Sequence, residues 1–337
     1  MEKKKKPRLS DVALLAGVSI GSASKALSEP DKVRPDTLAR VKDAVQRLGY
    51  IADGTARALA SRRSRTVGTI LPTISNPIYA AFVQALQKQL AALGYHLIVA
   101  SHEYDDEVEL DLARGLIERG ADALVLIGSE HHPRLSHLLD SAEIPTVAAW
   151  SYSPFGAHPF VGFNDRTGGQ IAVRHLLGLG HRRFAILSGP TTGNERQRAR
   201  ISGIIETLSA HGLECPPDCR LEMPFSISSG DAAFRAVQQM AVAPTALVCC
   251  SDLLALGFMS AAAREGLRIP DQMSVTGFGD IEIGKLVHPA LTTVRVPIEE
   301  IGTKTASMVV ELIANPAAGT SADVEVDLAI RASTGPA

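Results

Sequence analysis

AGVSIGSASKALS, residues 16–28, decides how the N-terminal part of the chain is read and, through it, the whole. Gly17 stands where a left-handed turn is easy, Ser19 can cap the helix that follows, and Ala23, Ala26 and Leu27 fall on one inner face. Working outward, Val12, Ala13, Leu15 and Ala16 predict a helix before the turn, with Ser10 as its expected N-cap. Beyond it, Pro35 opens a third helix whose Leu38, Val41, Val45 and Leu48 recur at helical spacing until Gly49 ends it. Two short helices joined at a glycine and braced by a third make a helix-turn-helix, whose second helix is offered to the major groove of DNA. Ser19, Ser22 and Ser24 suit phosphates, and Ser19 also suits a capping role. Lys25 reaches a guanine edge, Ile20 suits a thymine methyl, and Gly21 permits close approach. The expectation is a reader with few direct hydrogen bonds to bases, leaning on DNA deformability.

Charge points to the same partner. Residues 1–65 carry 15 Lys and Arg against 7 Asp and Glu, whereas the remaining residues carry 19 against 29. A basic head on an acidic body calls for a polyanion at the head only. With 337 residues, 45% hydrophobic and 21% charged, the chain is globular and long enough for two or three domains. MEKKKKPRLS lacks the apolar run of a secretion signal, and no window reaches the length of a membrane span, so the cytoplasm is the expected compartment and no membrane partner is expected. Cys215, Cys219, Cys249 and Cys250 form no zinc pattern and are expected to be core or loop thiols.

Residues 53–65, DGTARALASRRSR, form a linker too short to hold a helix alone, though it can become one against a partner. Leu59 is its one large apolar side chain; amid arginines it suits a wedge in the minor groove, or else packing on the core. From Val67 the pattern becomes strand–helix alternation. TVGTILP, HLIVAS, ALVLIG, TVAAW and FVGF form one set, and FAILSG, RLEM, ALVCCS and SVTGFG a second. Two such sets predict an α/β core of two parallel-sheet lobes. The tail, TTVRV, a helix near 298–314 and VEVDLAI, is too short for a third lobe and is expected to cross back and complete both. The expected domains are a helix-turn-helix at 1–52, a hinge at 53–65 and a core at 66–337. Within the core, lobe 1 takes about 66–164 and 295–322, and lobe 2 about 165–294 and 323–337.

Enzymatic patterns are weak. GDIEIGKL (279–286) meets part of a phosphate-loop pattern but carries Leu286 where a magnesium-binding Ser or Thr belongs. No dinucleotide fingerprint occurs, so no cofactor is expected, and no catalytic constellation is found. His131 and His132 lack a third ligand, so no metal is expected and both are read as exposed. A two-lobed α/β body suits capture of a small polar ligand beyond the carboxyl ends of its strands. There fall Ser75, Asn76, Tyr79, Ser129, Trp150, Ser251, Asp252 and the Gly279–Asp280 pair. Residues so placed also cap helices, Asp252 before LLALG being the clearest case. Arg196 and Arg200 share a helix face, which is either a solvated basic face or a fork for a carboxylate, phosphate or sugar hydroxyl.

These pieces together, DVALLAGVS, SxSKALS, LGYIADGTARALASRRSRTVG, LPTISNP, SDLLALG, SVTGFGD and PALTTVRVP, resemble the lactose/galactose-repressor family of bacterial transcription regulators, from Ser10 to about Ile330. The resemblance implies a homodimer on double-stranded operator DNA, with a core of the periplasmic sugar-binding-protein fold and a hinge that folds on DNA with Leu59 as wedge. It implies that Lys25 takes the place of a base-reading Arg, and that Ile20 and Gly21 take the variable specificity positions. It assigns effector contacts to Asn76, Tyr79, Trp150, Arg200, Phe225 and Ser251. Gly279 departs from the Asp that many members carry. Losing that carboxylate, beside Arg196 and Arg200, favours an anionic effector, and the similarity to regulators of gluconate metabolism points to a sugar acid or a phosphorylated relative. The competing readings are a sugar-binding protein with no regulatory role, and a regulator that needs its effector as co-repressor.

Overall fold

The computed structural model describes residues 6–51, 63–152, 154 and 156–337, in two compact units, residues 1–65 and 66–337. Leu59 lies outside the described residues.

The first unit holds α1 (Leu9–Ala16), α2 (Ile20–Ser28) and α3 (Pro35–Leu48), with a 3-10 turn at Pro30–Lys32. Gly17 (φ +64°) and Gly49 (φ +62°) end α1 and α3 in the left-handed region. Its core is small: Val12, Ala13, Ala16, Ala23, Ala26, Val41 and Ala44. Ser10 does not cap α1. Arg8 holds that position, because the Asp11 carboxylate three residues on accepts the Arg8 backbone N–H at 2.8 Å.

The second unit contains two six-stranded sheets. Lobe 1 comprises β1 (Thr66–Leu71), α4 (Pro77–Ala92), β2 (His96–Ser101), α5 (Asp106–Glu118), β3 (Ala123–Ile127), α6 (Pro133–Ser141), β4 (Thr146–Ala149) and β5 (Phe160–Gly162). Lobe 2 comprises α7 (Asp165–Gly178), β6 (Phe184–Ser188), α8 (Glu195–Ala210), β7 (Arg220–Glu222), α9 (Gly230–Gln238), β8 (Ala246–Cys249), α10 (Asp252–Arg264), β9 (Ser274–Gly279), α11 (Glu282–Leu286) and β10 (Thr292–Arg295). The chain then returns to lobe 1 with α12 (Ile298–Ala314) and β11 (Ala322–Asp323), and to lobe 2 with β12 (Asp327–Ala329).

The strand orders are β11-β5-β4-β3-β1-β2 and β12-β10-β9-β8-β6-β7. Every pairing is parallel except β10 with β12. Helices cover both faces of the central strands, so β3 is an unbroken apolar run: Val125 and Ile127 face one layer, Leu124 and Leu126 the other. The tail departs from the expected strand at VEVDLAI. Residues 322–323 pair with β5 and residues 327–329 with β10, so one short stretch supplies an edge to each sheet.

Candidate functional site

On the first unit, α2 carries the expected residues outward. Ile20, Gly21, Ser22, Ser24 and Lys25 are all exposed while Ala23 and Ala26 are buried. Ser19 caps α2, its Oγ accepting the Ser22 N–H at 3.1 Å and meeting the Ser22 hydroxyl at 2.9 Å. Ile20 is 55% exposed at the first turn, an apolar tip with no partner in its own unit's core. That suits contact with a base methyl.

In the core, the carboxyl ends of both sheets meet at a narrow cleft whose free space is only about 30 Å³, so a bound molecule requires the side chains or lobes around it to give way. Asn76, Tyr79, Trp150, Arg196, Arg200, Phe225 and Ser251 all line it. Asn76 caps α4 while doing so, its Oδ1 accepting the Ile78 N–H at 3.3 Å. Trp150, just after β4, takes φ +74°, a strained conformation for a bulky residue, and packs edge-on against Tyr79 and Phe82 at 5.4 and 5.9 Å. Its buried indole N–H finds no acceptor among the described residues. Phe225 stacks on Tyr104 at 5.7 Å, so one aromatic from each lobe closes the rim. Tyr104 was not among the sequence candidates; burial pushes its pKa up.

The arginines are not free forks. Arg200 donates from Nε to Asp165 Oδ1 at 2.6 Å and from Nη1 to the Cys250 carbonyl at 2.8 Å, with its guanidinium 3.6 Å from the centre of the Phe278 ring. Arg196 donates from Nη1 to Glu195 Oε1 at 3.1 Å and to the Ile127 carbonyl at 3.3 Å. Both are buried, so a solvated basic face is excluded. Neither Asp165 nor Glu195 was a candidate; a carboxylate 35 residues from its arginine leaves no local signal. The guanidinium groups nevertheless line the cleft, whereas their two carboxylates stand outside its lining.

Asp252 also departs from expectation. It is the first residue of α10 rather than its cap, and its carboxylate accepts the Thr293 hydroxyl at 2.6 Å and the Ile281 N–H at 2.9 Å. Burial pushes it up to about 6, against the pull of those two donors. Gly279 is not part of the cleft lining; it takes φ +135° at the end of β9. A Cβ there would stand 3.2 Å from Ile78 Cδ1 of the opposite lobe and 3.5 Å from Asp252 Oδ2, so an Asp at 279 would press one carboxylate on another. The two histidines are half-buried rather than exposed: His131 meets the buried Glu109 at 3.0 Å, and His132 meets Glu107 at 3.1 Å and caps α6. Among the described residues no cluster fit to hold a metal is found, and no helix is long and apolar enough to cross a membrane.

Asp252 gives a pH prediction. Between its ordinary value of 3.8 and about 6, the folded chain holds a proton that the unfolded chain has lost. The stability that Asp252 contributes is therefore full below about pH 4 and is lost as pH rises through about 6, with a slope of about 1.4 kcal/mol per pH unit at most. Asp252→Asn removes this titration. In urea unfolding at pH 4, 5, 6 and 7, the variant is expected to gain on the parent chain up to pH 6 and then hold level. A difference that stays constant across the series refutes a raised Asp252.

Residues 8–53 match the family model described as bacterial regulatory proteins, lacI family, and residues 173–334 match the periplasmic binding protein-like domain. The transcriptional regulator GntR of Pseudomonas aeruginosa is 31% identical over 333 residues, 98% of this chain and 96% of that protein. A LacI-family regulator from Silicibacter pomeroyi has a similar structure, with TM-score 0.87 and 25% identity over 97% of this chain and 99% of that one. The lac repressor dimer bound to operator and an anti-inducer shares the fold, with TM-score 0.86 and 24% identity over 98% of this chain and all of that one. The chain belongs to the lacI family of bacterial regulatory proteins and is a DNA-binding transcriptional regulator with a helix-turn-helix head and a two-lobed periplasmic-binding-protein-like core.

Proposed function

We propose that the chain is a cytoplasmic repressor acting as a homodimer on a two-fold operator, and that a sugar acid or phosphorylated sugar acid held between the core lobes releases it. The observation that carries the effector class is the cleft's lining. Arg196 and Arg200 line it while Asp165 and Glu195 do not, and position 279 contributes no carboxylate; the lining's one acid, Asp252, has its carboxylate engaged by the Thr293 hydroxyl and the Ile281 N–H. An anion gains from both guanidinium groups, and its hydroxyls meet Asn76, Ser251 and the unpartnered Trp150 N–H. Residues Ser19, Ile20, Gly21, Ser22, Ser24 and Lys25 meet DNA from α2, and Leu59 enters the minor groove between the half-sites. The effector acts by population shift: it binds one arrangement of the lobes more tightly, and that arrangement disfavours paired hinges on DNA.

The test is operator binding, using a site selected from random DNA. Affinity is expected to fall about a thousandfold or more between 50 and 200 mM salt. Gluconate or 6-phosphogluconate should then release the complex, with glucose and ribose inert. No binding at low salt overturns the DNA assignment. Release by neutral sugars alone overturns the effector class.

A further inference from the structure

Three donors converge on one oxygen where the lobes meet. Glu195 Oε1 accepts the Ser151 hydroxyl at 2.6 Å, the Ser129 backbone N–H at 2.8 Å and Arg196 Nη1 at 3.1 Å. Ser129 and Ser151 follow β3 and β4 of lobe 1, whereas Glu195 and Arg196 open α8 of lobe 2. The same Nη1 donates to the carbonyl of Ile127 at the end of β3. Arg196 is thus pinned at one corner between the lobes, and its Nε and Nη2 carry no hydrogen bond among the described residues. The backbone between Ile127 and Ser129 is shaped for this. Gly128 takes φ +101°, and a Cβ there would stand 2.1 Å from Arg196 Nη1 and 2.8 Å from Glu195 Oε1. Farther out, Arg198 of lobe 2 pairs with Glu130 of lobe 1.

We propose that Glu195 is a positioning residue, which ties contact between the lobes to the aim of Arg196 and so sets how tightly the cleft grips its effector. With a neutral amide in place of the carboxylate, the Ser129 N–H and Ser151 hydroxyl keep only a weaker acceptor on the other lobe, and Arg196 loses its ion pair and keeps the Ile127 carbonyl. The group is suited to permanent ionisation. Burial alone would raise its pKa, but Arg196 and the bonds from Ser151 and Ser129 more than offset this and hold it below the usual carboxylate range. The latch therefore persists through neutral pH and weakens only on acidification. The affinity consequence rests on the effector reading above; the contact between the lobes does not.

The experiment compares the full-length parent chain with Glu195→Gln, Ser151→Ala and the double variant. It follows deuterium exchange at the Ser129 amide without added ligand, and gluconate and 6-phosphogluconate affinity by calorimetry. Glu195→Gln is expected to speed Ser129 exchange about tenfold or more and to weaken sugar-acid binding about tenfold. The double variant should be little worse than Glu195→Gln, since Ser151 acts through the same oxygen. Gly128→Ala, whose methyl would displace the Arg196 and Glu195 side-chain tips from this corner while retaining both residues, should reproduce both effects. Unchanged Ser129 exchange in Glu195→Gln and Gly128→Ala, or fully additive losses, overturns the proposal. If the parent chain binds neither sugar acid, the effector reading fails, and the exchange results still decide whether Glu195 latches the lobes.

Discussion

Arg200→Ala is expected to lower the unfolding free energy of the core by about 3–5 kcal/mol, the cost of leaving one member of a buried ion pair uncompensated. The Asp165 carboxylate is buried, with Arg200 Nε at 2.6 Å as its cation. Burial pushes its carboxyl up to about 6 even with that guanidinium beside it, so without Arg200 it must take up a proton or admit water. Two further losses follow. The Cys250 carbonyl keeps only the Gln197 amide at 3.3 Å, and the Phe278 ring loses the guanidinium stacked on it. Arg200→Lys keeps the charge without the planar fork and should recover only part of the loss. Asp165→Asn combined with Arg200→Met removes both charges and should be less destabilising than Arg200→Ala alone. Urea unfolding at pH 7 measures all three variants, and a cost below about 1 kcal/mol for Arg200→Ala would show that the pair does not hold the lobe together.

The second large effect is expected from a single methyl group. Helices α7 and α8 approach closely enough for each to lay a glycine on the other's backbone. A Cβ at Gly203 would stand 2.1 Å from the Arg166 carbonyl oxygen, and one at Gly169 would stand 2.3 Å from the Arg200 carbonyl oxygen. A flexible side chain could yield at such distances; a helix backbone cannot without moving the helix. Gly203→Ala is therefore placed at the top of the overpacking range, about 3 kcal/mol. It should also draw Arg200 away from Asp165 and weaken effector binding with no change to any cleft residue. Gly178→Ala on the same α7 is the control. A Cβ there has nothing within 4 Å, and the added residue should gain about 0.5–1 kcal/mol by restricting the unfolded chain. If the two variants have equal thermal midpoints, close approach of α7 and α8 is not what holds the pair in register.

What the sequence revealed divides by range. Gly17, Ser19, Pro35 and Gly49 were legible because caps and left-handed turns are settled within a few residues of themselves. The strands were legible because sheets covered on both faces need unbroken apolar runs. Arg196 and Arg200 were found, but their charge balance was not. Glu195 sits beside Arg196 in a loop-to-helix stretch that reads equally well as a solvated N-terminus, and Asp165 belongs to another helix. Asp252 looked like a helix cap because the residues that claim its carboxylate, Ile281 and Thr293, lie 29 and 41 positions away. Gly279 was noticed as a departure; the reason for it, Ile78 on one side and Asp252 on the other, needed the fold.

The split tail bears on how the protein is made. Residues 322–323 finish the sheet of lobe 1 and residues 327–329 finish that of lobe 2, while the buried Ser333 hydroxyl donates to the Val275 carbonyl and accepts the Thr292 N–H. During synthesis, both sheets therefore wait with an edge unpaired until this last segment leaves the ribosome, although most of lobe 1 has emerged some 160 residues earlier. A chain stalled or clipped before residue 322 lacks an edge strand in both lobes at once, so such a fragment is exposed to aggregation and proteolysis instead of persisting as a half-working regulator.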